Sequence, residues 1–187
     1  MMIMRNVAMT LVCLAFALTA APVHSDPAQV IARPDQGDSI VIPPKSTLRF
    51  RAFDKEGTAK FDGKLLLSGT YYYGSNAIDD GEGFEPALYF IPDKATKARL
   101  PIFKERGMPG EIYLSNPRAF VTAVIPKERL ATFGKSRARY LSGKADIWVD
   151  QFEAGIECDA PFFDARFMSV AHAPLKVALA DPPDTGC

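Results

Sequence analysis

The sequence predicts an all-β fold, a single-domain β-sandwich or partly open barrel with one short helix. Three observations carry this. Apolar and polar residues alternate with period two in many short stretches, the signature of strands buried on one face. Turn-forming residues (Asp62-Gly63, Pro92-Asp93, Asn116-Pro117) separate those stretches at short intervals. Only Pro126 to Phe133 has helical spacing, with proline in the first turn and Gly134 to close it.

Residues 1–25 read as a secretory signal peptide. Arg5 is the only charge before an apolar run from Val7 to Ala21, which ends at Pro22 and small residues up to Ser25. The run is short for a membrane span, and nothing after it is long and apolar enough for one. The protein is therefore expected outside the cytoplasm: periplasmic if its source is a Gram-negative bacterium, secreted otherwise. Residues 26–39, polar and broken by prolines, read as a flexible lead-in, and 40–187 as the β-domain.

Within that domain, Ile40-Val41-Ile42 is a short strand. Leu48, Phe50 and Ala52 alternate with Arg49 and Arg51 in the next. From Ala59 to Tyr73 both faces are partly apolar, which marks a central strand. Ala87 to Ile91 is a continuous apolar run, read as buried. Glu111 to Ser115 and Ala119 to Ile125 are read as strands around Asn116-Pro117, and Leu175 to Leu179 as a last one.

Some of the clearest patterning lies between Ser136 and Val170. Ala145, Ile147 and Val149 point one way, and Lys144, Asp146, Trp148 and Asp150 the other. With Gly155 as a turn, Ile156 and Cys158 form the inner side of a second strand. Phe163, Ala165 and Phe167 form the inner side of a third, which makes a meander.

Composition limits the functions. The chain has 22 basic and 22 acidic residues, so no basic excess is available to neutralise phosphates, and nucleic acid is a poor partner. The mature chain keeps a single histidine, His172, with no GxSxG elbow, and no phosphate-cradling glycine loop is present. No cofactor is required by any motif. Asp79, Asp80, Glu82 and Glu85 in a glycine-rich loop could offer hard oxygen ligands to Ca²⁺, although their spacing is not that of an EF-hand.

The only tryptophan, Trp148, stands between Asp146 and Asp150 on the polar side of its strand. An aromatic plate beside carboxylates suits a sugar ring, by stacking on its apolar face and hydrogen bonding to its hydroxyls. Tyr72 joins this platform if the strands are neighbours. The expected function is an exported, non-catalytic binding module of the cell envelope with a protein or carbohydrate ligand. The alternative is a carboxylate-dependent envelope hydrolase acting on a glycan through pairs such as Asp146 and Asp150. Cys158 and Cys187, the two cysteines left after the signal, are expected to form a disulfide in an oxidising compartment.

Overall fold

The computed structural model describes residues 27–33, 38–74, 86–133, 139–172 and 177–180. In chain order these form β1 (Gln29–Ala32), β2 (Ser39–Ile42), β3 (Arg49–Phe53), β4 (Ala59–Asp62), β5 (Leu65–Gly74) and β6 (Ala87–Pro92). Then come α1 (Lys94–Lys97), β7 (Ile102–Phe103), β8 (Ile112–Leu114), α2 (Pro117–Val124) and α3 (Lys127–Phe133), followed by β9 (Tyr140–Glu157), β10 (Ala160–His172) and β11 (Val177–Ala180).

The all-β expectation holds. The choice between sandwich and barrel is decided by pairing. β5 pairs antiparallel with β6, and β6 with β8. β8 runs parallel to β10, which pairs antiparallel with β9, and β9 returns to β5. These five strands close a ring, which leaves none of them as a continuous open edge. Numbered within the ring, the order is first, second, third, fifth, fourth, with the third and fifth parallel and two helices between the third and fourth. That is the connectivity of the five-stranded OB barrels. β4 and β3 extend from β9 on one side and β11 pairs with it on the other, while β1, β2 and β7 form a separate small sheet.

The alternation seen in the sequence fills the ring. Leu67, Phe90, Ile112, Ile147 and Ala165 are fully buried, and Phe163 nearly so. Phe120 of α2 packs between Tyr71 and Phe167, with ring centroids 5.0 and 5.3 Å away. β9 holds the assembly together because its 18 residues outlast any one neighbour. Its first half pairs with β5, its second with β4 and most of β10. At Gln151 (φ 47°) it takes an extra residue relative to β10, a bulge. Val149 and Phe152, three apart, are therefore both buried.

Gly69 faces Pro92, and a Cβ at Gly69 would lie 2.2 Å from the Ile91 carbonyl oxygen, so no other residue fits. Beyond it α1 takes over the exposed backbone of β5. Thr96 Oγ1 accepts from the Ser68 N–H at 3.0 Å and donates to its carbonyl at 3.1 Å. Arg99 donates to the Leu66 carbonyl at 2.9 Å. Satisfying these buried backbone groups is the reason a four-residue helix persists here.

Several expectations need correction. Ala119 to Ile125 is not a strand: Pro117 occupies the first turn of α2, and Phe120 and Val124, four apart, are its buried face. With α1 and α3, the described residues hold three short helices, not one. The meander has two strands, not three, because Gly155 lies inside β9. The Phe162 ring covers it so closely that a Cβ would meet the ring at 2.4 Å. The turn falls instead at Cys158 and Asp159, whose φ values of 48° and 65° suit a tight hairpin. Cys158 is therefore exposed, not inward, and has no cysteine partner among the described residues; Cys187 and the disulfide expectation lie outside them. The lead-in also contributes structure, since β1 pairs with β2 and the flanking Arg33 and Asp38 are buried.

Candidate functional site

The outer face of the ring carries the candidate site, and period two puts its members there. On β9, Ser142, Lys144, Asp146 and Trp148 point outward, opposite Tyr72, Thr70, Ser68 and Leu66 of β5. Trp148 is 38 % exposed, so it is neither core nor fully free. Its neighbours are already engaged. Asp146 Oδ2 lies 3.2 Å from Nδ1 of His172. Asp150 accepts two hydrogen bonds from Arg166, at 2.9 and 2.8 Å. That guanidinium holds the Asp150 carboxyl below its usual range. A general acid needs the opposite shift, so Asp150 is unsuited to that role.

Tyr72 is on the same face as Trp148 but not beside it. The two pair with positions six apart along both strands, about 20 Å at ~3.3 Å per residue. Tyr72 belongs instead to a row that the sequence reading missed. It stands opposite Tyr89 of β6, Tyr89 stands opposite Tyr113 of β8, and Tyr113 opposite Asp164 of β10. The Tyr113 hydroxyl donates to that of Tyr89 at 3.1 Å, with ring centroids 4.6 Å apart. Tyr140 packs edge-on against Tyr72 and Tyr89 at 6.1 and 6.4 Å and is buried. Tyr113 is 42 % exposed, the most open of these rings.

Two carboxyl groups flank Tyr113. Glu111 lies two residues earlier on the same face, and Asp164 lies across from it on β10. Burial pushes the Glu111 carboxyl up. Burial, with Glu153 nearby, does the same to Asp164. The Tyr113 hydroxyl is raised by burial first and then by its bond to Tyr89. Beside the row, Pro109, Glu111, Tyr113, Pro161 and Phe162 line a cleft of about 220 Å³. A larger groove of about 530 Å³ runs over the β5–β9 face between Ser68, Thr70, Ile91, Lys144, Asp146 and His172.

Tyr89 escaped the sequence reading because Ala87 to Ile91 is uniformly apolar, which hides its alternation. The signal was present only as register: Leu88 and Phe90 are buried and Tyr89 is not. The proposed calcium ligands Asp79, Asp80, Glu82 and Glu85 lie outside the described residues. Among the described residues no three His, Cys, Asp or Glu side chains come together to hold a metal ion. Nor is any described helix long and apolar enough to cross a membrane.

No family model, no curated protein and no solved structure matches this chain.

Proposed function

We propose that the protein is an exported, non-catalytic binding module of the cell envelope, and that it holds a glycan on its outward tyrosine row. The observation that carries this reading is the register Tyr72–Tyr89–Tyr113–Asp164 across four neighbouring strands. Such a row offers flat apolar faces for sugar rings. Its phenol hydroxyls and the two flanking carboxyl groups can bond to ring hydroxyls. The row itself carries no cation, which favours a neutral, hydroxyl-rich ligand over phosphate. The second and third strands of OB barrels are also where oligonucleotides and oligosaccharides bind, and a chain without a basic excess favours the latter. That support is analogy at the level of fold, and the argument rests on the side chains.

The test is co-sedimentation with insoluble β-1,4-linked glycans (purified cell-wall sacculi, chitin and cellulose), with Tyr113→Ala beside the parent. Losing one stacked ring is expected to cost about 1.5 kcal/mol, roughly tenfold in affinity. Retention on none of the glycans would overturn the reading, and a protein ligand would then take its place. A hydrolytic reading is favoured by one observation only, the raised carboxyls of Glu111 and Asp164, since one raised carboxyl is what a glycosidase needs for its acid. Release of reducing ends, abolished in Glu111→Gln, would establish it.

A further inference from the structure

Three features lie outside the tyrosine row: a charged cavity, a buried hydroxyl and a groove. The cavity of about 570 Å³ beside the Gln151 bulge is lined by Arg51, Lys60, Asp62, Lys64, Asp150 and Glu153. Most of these charges are already spent on one another or on Arg166, so the cavity offers a ligand little. The Tyr71 hydroxyl is buried without a hydrogen-bond partner among the described residues, and it lines none of the clefts described above. The groove over β5 and β9 is different, because by register it starts next to Tyr72 and Tyr89, at Thr70 and Ile91, and reaches Asp146, two residues short of Trp148 on the same face.

We infer that the ligand is a linear chain of sugars, which runs from the tyrosine row along the β5–β9 groove and stacks on Trp148 at the far end. This rests on the glycan-binding reading and extends it to the substrate class: a polymer, not a mono- or disaccharide. The geometry has three parts. Thr70 follows Tyr72 on the same face, and Ile91 follows Tyr89, so the groove begins where the row ends. Its walls then carry Lys144, Ser68, Asp146 and His172, hydrogen-bonding groups suited to the hydroxyls of a chain's edges. At the last position Trp148 sits opposite Leu66, with the exposed Met168 on β10 beside Ser169, its other partner. An aromatic ring at each end of a stretch about 20 Å long, with hydrogen-bonding groups along it, matches an extended chain that stacks twice. A compact ligand could use only one end.

Titration calorimetry with soluble β-1,4-linked N-acetylglucosamine oligomers, from dimer to hexamer, reads this directly. If the chain engages both ends, affinity should rise about tenfold or more between the short and long oligomers, because the second contact is made by a ligand already held. The chain has one tryptophan, so its fluorescence reports the far end alone. Its emission should respond to the longest oligomers and not to the dimer. Trp148→Ala should bring hexamer affinity down toward the short-oligomer value. Lys144→Glu, an exposed change that leaves the core alone, should weaken the hexamer more than the dimer. Equal affinity across the series with silent fluorescence would overturn the track while leaving the tyrosine site standing. Failure of every length to bind would overturn both.

Discussion

The outer face of β9 changes character near Gln151. On the early side, Lys144 and Asp146 border an open groove, and Asp146 is engaged with His172. On the late side Asp150 and Glu153 have each taken a cation from a neighbouring strand. Asp150 is held by Arg166 of β10. Lys60 of β4 lies between Glu153 at 2.6 Å and Asp54 at 3.2 Å. One strand thus does two jobs. Where charges are paired across strands they help hold β4 and β10 to β9 and have little left for a ligand. Where an aromatic ring and lightly engaged polar groups remain, a ligand can compete for them.

The largest effect that tests this contrast compares adjacent residues on opposite faces. Ile147 is fully buried inside the ring, and Ile147→Ala should cost about 2–5 kcal/mol in urea unfolding. Trp148→Ala, one position on, should cost much less, about 1–2 kcal/mol, because over a third of the ring already faces water. Equal losses would mean that Trp148 is structural and the groove is not a binding surface.

On the paired side the effect is smaller. Lys60→Met removes the cation shared by Asp54 and Glu153 and leaves two carboxylates without it, for a loss of about 1–2 kcal/mol at neutral pH. Hydrogen bonds from Thr58 and Lys60 hold the Asp54 carboxyl below its usual range, despite some opposing burial. A depressed carboxyl contributes stability above its unfolded value, about pH 4, and loses it as pH falls through the folded value. The penalty of Lys60→Met should therefore shrink in acid. A penalty that stays constant down to about pH 3 would remove the ion-pair account.

The smallest effect has the opposite sign. Burial raises the Glu111 carboxyl, so that group favours folding below its unfolded value and loses the contribution as pH rises through its folded value. Glu111→Gln should stabilise the protein at pH 7 by a few tenths of a kcal/mol, about 0.5, and change nothing below about pH 4. Thermal melts across that range check it. Destabilisation at neutral pH would mean that the carboxylate has an attractive partner.

Where apolar and polar residues alternate cleanly, the fold was legible. Ala145, Ile147 and Val149 are inward and Trp148 is outward, as the sequence predicts. Where every residue is apolar, or where a proline fits both a turn and a helix start, it was not. Tyr89 within Ala87–Ile91 and Phe120 within α2 are the instances. Of the expected site, Asp146 borders the groove with Trp148 two residues on along the same face, Asp150 is tied to Arg166, and Tyr72 stands about 20 Å from Trp148 with partners the sequence did not suggest.

The chain's own chemistry determined its class: all-β, near-neutral, with one tryptophan on a polar face and a single histidine beyond the leader-like segment. Period two is a local property of a strand, so it can be read without knowing any neighbour. Which strands lie side by side is not local. Tyr72, Tyr89 and Tyr113 are separated by 17 and 24 residues, and only the antiparallel registers of β5 with β6 and β6 with β8 bring them into one row. Closure of the ring through β9 and β10, the bulge at Gln151 and the close backbone approach at Gly69 were likewise decided by tertiary structure. Each depends on backbone groups and packing surfaces supplied by segments far away in sequence.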